Sequence, residues 1–298
     1  MSKTKTPSEI KDLLEGPVSS IPTPFLRDGE VDWKGVRNII ETGISGGSGV
    51  SLLTYGDSQF EFLSDDEVAR LTRILVEQAK GRALTVAANR RWWTGKTVEF
   101  ARYCRELGAD VLMVLPPAQA TAVKGLIEYY RAAAEVMPVM LVGAPSYEVL
   151  DGLVGVPNIC CFKEDGTEAY AVETMARYGE NWKFMTGGGL WRNFTQWPVG
   201  CSAFMCVFSS FAPQVGQCYW KAFQAGDPAA AGKIIRDFDR PFFSLGEKFP
   251  AGLHAAWHAT LELKGIASRW LRPPALSLTD KEMERLSEML DEMELLTG

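Results

Sequence analysis

The chain has 298 residues and a mass of 32.9 kDa, with 46% hydrophobic and 23% charged residues; it is too long for a small stapled module and too apolar for a disordered chain. The formal net charge is −6, from 31 basic and 37 acidic residues. Thr279–Gly298 hold seven acidic and two basic side chains, so the other 278 residues sum to only −1, and with no basic face nucleic acid and anionic membrane are poor candidate partners.

No apolar run approaches the ~18–20 residues that cross a bilayer, and the opening Met1–Gly16 has no apolar core of a signal peptide. Six cysteines (Cys104, Cys160, Cys161, Cys201, Cys206 and Cys218) sit mostly within apolar runs and none forms a Cys-x-x-Cys pair. They read as reduced thiols, and the expected compartment is the cytoplasm.

The predicted elements begin with a β-rich run at Pro17–Pro24, followed by Asp32–Gly46, whose Val36, Ile39, Ile40 and Ile44 form a helical stripe. A strand at Gly49–Thr54 leads to a helix over Ser64–Lys80, opened by the capping box Ser64-Asp65-Asp66-Glu67. Next come a strand at Ala83–Ala88, a helix at Thr94–Leu107 stopped by Gly108, a strand at Asp110–Pro116 and a helix at Val123–Val136. Further strands are predicted at Pro138–Pro145, Ile159–Glu164, Lys183–Gly188 and Cys201–Phe208, with a helix at Glu168–Tyr178. The eight strand starts are spaced by about 26 residues, room for one helix and two loops.

Runs such as Val111-Leu112-Met113-Val114-Leu115 are apolar at consecutive positions, as in strands covered on both faces. The pattern therefore predicts an α/β fold, a (β/α)₈ TIM barrel over residues 16–225. Past Phe211 only helices are predicted, Asp227–Phe243, Pro250–Leu263 and Thr279–Leu296, forming a helical extension over residues 226–298.

A barrel carries its chemistry on the loops after its strands. Lys163 ends the apolar run Ile159-Cys160-Cys161-Phe162, so its amine is expected in the barrel mouth. Burial would lower its pKa and give a nucleophile for a carbonyl; pairing with Glu164 or Asp165 is the competing reading. His254, His258 and Glu262 share one helix face, and Glu164, Asp165 and Asp57 are hard-cation ligand types. The site is nevertheless expected to need no metal and no cofactor. Gly187-Gly188-Gly189 follows the seventh strand and suits phosphate or the close approach of a substrate. Trp92 and Trp93 suit a pocket wall or a subunit interface.

These pieces, in this order, resemble the dihydrodipicolinate synthase / N-acetylneuraminate lyase family of class I aldolase-like barrels. The resemblance runs from about Gly16 to Phe211. It rests on Thr23-Pro24-Phe25 with Asp28-Gly29, on Gly108-Ala109-Asp110, on Pro138-Val139-Met140-Leu141, on Pro157-Asn158-Ile159 leading to Phe162-Lys163-Glu164, and on Thr186-Gly187-Gly188. It implies that Lys163 is the Schiff-base lysine, and it implies a homo-oligomer, a dimer or tetramer.

The chain also departs from that pattern. The family's Gly-Thr-Thr-Gly-Glu carboxylate loop appears as Gly56-Asp57-Ser58-Gln59, its fifth-strand tyrosine as Val142, its Pro-Tyr-Tyr as Pro116-Pro117-Ala118, and its following arginine as Tyr147. Tyr55, Asp57, Tyr147 and Asp165 are the candidate replacements for the proton relay. Gly56, Ser58, Gly187 and Gly188 are candidates for polar substrate groups, and Arg90, Arg91 and Arg192 for a carboxylate.

The expected function is a Schiff-base lyase, an aldolase or dehydratase on a small 2-oxo-acid-like substrate. The alternative is a barrel that binds a small acid without turnover, as a sensor or scaffold. Asp57 is expected near Lys163. One of Arg90 and Arg91, beside a tryptophan wall, is expected to select a substrate bulkier and less polar than a sugar acid.

Overall fold

A computed structural model describes residues 5–296. Eight parallel strands pair in sequence order: β1 (Gly16–Ser20), β2 (Val50–Leu52), β3 (Leu84–Ala88), β4 (Val111–Val114), β5 (Val139–Gly143), β6 (Ile159–Glu164), β7 (Lys183–Thr186) and β8 (Ala203–Met205). Closure comes from β8 on β1, with Gly16 opposite Ala203 and Val18 opposite Met205. A closed barrel leaves no unpaired strand edge. The apolar runs of β4 and β6 are buried throughout, because inward side chains fill the barrel and outward ones meet helices. This is the (β/α)₈ barrel that the spacing predicts.

The helices are α1 (Pro7–Leu13), α2 (Trp33–Ser45), α3 (Asp65–Ala79), α4 (Thr94–Leu107), α5 (Val123–Ala134), α6 (Tyr147–Leu153), α7 (Glu168–Tyr178), α8 (Leu190–Gln196) and α9 (Pro213–Gln224). The capping box at α3 is formed, with Glu67 N–H donating to Ser64 Oγ at 3.2 Å and Ser64 N–H to Glu67 Oε2 at 2.7 Å. Gly108 ends α4 in the left-handed region, at φ 89°.

Helix α1 is an addition to the predicted elements. Its signal is a second capping box, Thr6 with Glu9, and it buries Ile10 and Leu14 against β6. Helices α6, α8 and α9 also lie outside the predicted set.

The extension contains α10 (Pro228–Ile234), a π-helical turn (Ile235–Asp239), α11 (Arg240–Phe243), α12 (Leu245–Lys248), α13 (Gly252–Leu263) and α14 (Asp280–Glu292). The single helix expected over Asp227–Phe243 thus carries a wider turn in its middle. The extension packs back onto the barrel. Arg272 holds Glu67 at 2.6 Å and donates to the Gly29 and Phe62 carbonyls, and the Trp257 indole donates to Ser210 Oγ at 2.9 Å.

Candidate active site

Side chains alternate across a strand, so on β6 and the residue after it Lys163 and Asp165 share the inward side while Glu164 faces the helices. Lys163 is only 5% exposed, and its Nζ donates to both Asp165 oxygens at 2.6 Å. Burial of Lys163 is as expected. Its nitrogen is paired with the Asp165 carboxylate, the contact named as the competing reading. A Cβ at Gly187 would overlap Asp165 Oδ1 and lie 3.1 Å from Lys163 Nζ, so the missing side chain at 187 is the space the pair occupies.

Glu164 is fully buried behind the wall. It accepts from Arg192 Nη2 at 2.6 Å and from the Gly166 N–H, while the same Arg192 nitrogen donates to the Gly166 carbonyl at 2.6 Å. Burial raises the Glu164 carboxyl above its usual range, and the Arg192 charge opposes that rise. Arg192 thus clamps the turn that carries Asp165 through a single guanidinium nitrogen.

Val142 stands opposite Lys163 in the β5–β6 register, and Met185 flanks it on β7. Neither carries a proton. On the second-strand loop the half-buried Tyr55 meets Asp165, and its phenol is pushed up to about 12 by burial first and by the Asp165 charge next. It is a donor at neutral pH.

The rest of that loop is held from below. Ser58 Oγ accepts from Thr54 N–H at 3.1 Å and donates to the Ile21 carbonyl at 2.6 Å, while Thr23 Oγ1 donates to the Ser58 carbonyl at 2.7 Å. Ser58 is fully buried, and its hydroxyl joins two barrel loops. Asp57 accepts from Ser20 Oγ at 2.6 Å, and it is Asp165, not Asp57, that bonds Lys163. Gly56 is exposed, and its carbonyl accepts from Gln59 N–H at 2.9 Å. Gln59 is in the left-handed region at φ 56° and meets His258 Nε2 at 3.2 Å. Sequence gave no signal for that last contact, which spans 199 positions.

Beside Tyr55 the rim opens into a cleft of about 350 Å³ lined by Tyr55, Phe60, Glu61, Asp65, Arg90, Arg91 and Trp92. Asp65 takes Arg90 at 2.9 Å, the ammonium of Lys96, and the Trp92 indole N–H at 3.2 Å. Among the described residues no carboxylate lies within ion-pair distance of Arg91, whose guanidinium sits 5.9 Å from the Tyr55 ring centroid. Arg91 is therefore the arginine available to a ligand. Trp93 is 69% exposed and folded over Gly95, so only Trp92 contributes to the cleft wall. A larger cavity of about 430 Å³ lies at the opposite, amino end of β6, among residues such as Arg131, Pro157 and Asn158.

Tyr147 stacks on Tyr170 at 5.5 Å, under Arg177 at 4.4 Å, between α6 and α7. Gly188 is exposed at φ 79°. The amides that would meet a phosphate at the start of α8 are taken by Asp239, which accepts from Leu190 and Trp191 N–H at 2.9 and 3.2 Å. His254 is exposed and stacks on Trp257, while His258 is fully buried, so the two rings do not converge. Glu262 is held by Arg269 at 2.8 Å.

The model of the dihydrodipicolinate synthetase family matches residues 13–293. The protein named probable 5-dehydro-4-deoxyglucarate dehydratase 1 of Streptomyces avermitilis is 25% identical over 290 residues, covering 93% of this chain and 92% of its own length. The 4-hydroxy-tetrahydrodipicolinate synthase of Desulforamulus reducens is 24% identical over 290 residues, covering 94% and 97%. Among solved structures, dihydrodipicolinate synthase from Bacillus clausii superposes with a TM-score of 0.86 at 22% identity, over 96% of this chain and 100% of the other. N-acetylneuraminate lyase from Mycoplasma synoviae gives 0.84 at 18% identity, over 94% and 98%. Both structural likenesses bear on the fold.

Proposed function

The chain belongs to the dihydrodipicolinate synthetase family, and from that premise we infer a Schiff-base lyase that uses Lys163 on a small 2-oxo acid. The observation that carries this reading is a lysine 5% exposed at the end of β6, set against the Asp165 carboxylate. A buried amine with an acid–base partner can form an imine that drains electrons from the adjoining carbon.

Within that class we propose a dehydratase of an oxo acid carrying a second carboxylate. Arg91 supports this, as a cation at the rim with no carboxylate partner among the described residues and an unpaired guanidinium fork. The relative named for 5-dehydro-4-deoxyglucarate, by that name a dicarboxylic acid, supports it too. Val142 favours a second reading, since an apolar side chain beside the lysine suits a barrel that binds an acid without turning it over.

Incubation with pyruvate and borohydride, read by intact mass, should give an adduct on the wild type and none on Lys163→Ala. Equal labelling of the variant would end the assignment. Release of product from 5-dehydro-4-deoxyglucarate separates the enzyme from the silent binder.

A further inference from the structure

We propose that Asp165 is the proton carrier of the reaction at Lys163, in the role that a tyrosine hydroxyl beside the lysine cannot fill here; the inference rests on the Schiff-base reading above.

Three observations converge on it. First, both Asp165 oxygens lie 2.6 Å from Nζ, and among the described residues no other side chain is bonded to that nitrogen. Second, the neighbours that could compete are disqualified. Val142 and Met185 carry no proton, Glu164 is turned outward onto Arg192, and the Tyr55 phenol, a donor, meets Asp165 and not the Lys163 nitrogen. Third, the surroundings are shaped to hold this carboxylate. Gly187 leaves the volume it fills, and the Glu164–Arg192–Gly166 clamp fixes the turn that carries it.

The proton bookkeeping closes with this one group. The Asp165 carboxylate takes a proton from the Lys163 ammonium, and the freed nitrogen pair attacks the carbonyl carbon as the C=O π pair moves to oxygen. Asp165 returns its proton to that oxygen, then removes a proton from the new N⁺–H₂ group, leaving a neutral carbinolamine. It next protonates the hydroxyl, which departs as water with the C–O pair while the nitrogen pair forms the C=N⁺ bond. The net change is ammonium plus carbonyl to protonated imine plus water. Asp165 ends as it began, a carboxylate facing a cation on nitrogen.

A passive partner would behave in the opposite way. If Asp165 only held the ammonium, removing it would leave a buried amine that sheds its proton more readily, and imine formation would speed up. A proton carrier predicts slowing, because expulsion of water from the carbinolamine needs an acid.

The test is the time course of borohydride trapping with pyruvate between pH 6 and 9, in the wild type, Asp165→Asn and Asp165→Ala, with thermal unfolding as the check on folding. Asp165→Asn should slow adduct formation at neutral pH by about 10²-fold or more. Asp165→Ala should slow it similarly and recover in a saturable way with added formate, which does nothing for the wild type. Trapping of Asp165→Asn as fast as or faster than wild type, or no formate rescue of Asp165→Ala, overturns the assignment of Asp165 alone. Absence of any adduct on wild-type Lys163 overturns the Schiff-base reading and this inference with it.

Discussion

Substituting Gly187 by alanine tests whether the geometry of the ion pair, and not merely its composition, sets the reactivity of Lys163. Gly187 does not occupy the left-handed region, so alanine suits its backbone and the unfolded chain loses entropy in favour of folding, by about 0.4–1 kcal/mol. Against this stands a new methyl that overlaps Asp165 Oδ1 and approaches Lys163 Nζ to 3.1 Å. Relieving that overlap moves the carboxylate by on the order of 1 Å to ordinary contact distance, with overpacking worth about 1–3 kcal/mol. The net expectation is a loss of about 1–2 kcal/mol in denaturant unfolding. A displacement of that size at reacting groups is worth about 10²-fold in rate, read as the rate of borohydride trapping with pyruvate. Gly108→Ala is the control. Its φ of 89° makes alanine cost about 1–2 kcal/mol of backbone strain with no atom of the site nearby, so it should lose stability and keep its trapping rate. A Gly187→Ala protein that traps at the wild-type rate would refute the argument from shape.

Arg91→Met should raise KM for a dicarboxylic substrate by about 10- to 100-fold, the worth of a charge-assisted hydrogen bond, and spare pyruvate trapping; Arg90→Met should do less, since Asp65 already holds that side chain. An unchanged KM in Arg91→Met would remove it from recognition. Arg192→Met leaves Glu164 buried without its cation and should cost about 3–5 kcal/mol in unfolding experiments; a loss below 1 kcal/mol would show that the clamp is dispensable. Burial lowers the His258 pKa from 6.5 to about 3, so the fold refuses a proton that the unfolded chain accepts, and stability is lost as pH falls from 6.5 towards 3. The slope is about 1.4 kcal/mol per pH unit. His258→Gln should therefore lose less stability than wild type between pH 6.5 and 4, and parallel stability curves would contradict the assignment.

The barrel and the buried lysine at the end of its sixth strand were legible in the residues themselves. An apolar run broken by a charge, as in Ile159–Lys163, states where a strand ends and which end faces the mouth. The period of two also distinguishes Asp165 from Glu164 as the partner on the lysine's side, a signal present in the sequence and sharpened only when the strand register is fixed. The Thr6-Pro7-Ser8-Glu9 capping box of α1 was equally readable.

Other features had no local signature. Ser58 is a hydroxyl on the second-strand loop, as a ligand-binding residue would be, yet the fold turns it onto the Ile21 carbonyl and Thr54 N–H. Arg90 and Arg91 are chemically identical neighbours, and Asp65, twenty-five positions away, decides which of them is free. The sequence by itself determined the alternation of strands and helices and the position of one lysine, because both follow from periodicity over a few consecutive residues. Tertiary structure alone decided which polar groups remain available for chemistry. Most buried donors and acceptors take a partner wherever the closed barrel brings one, as Gln59 Nε2 meets His258 and Asp239 meets the start of α8.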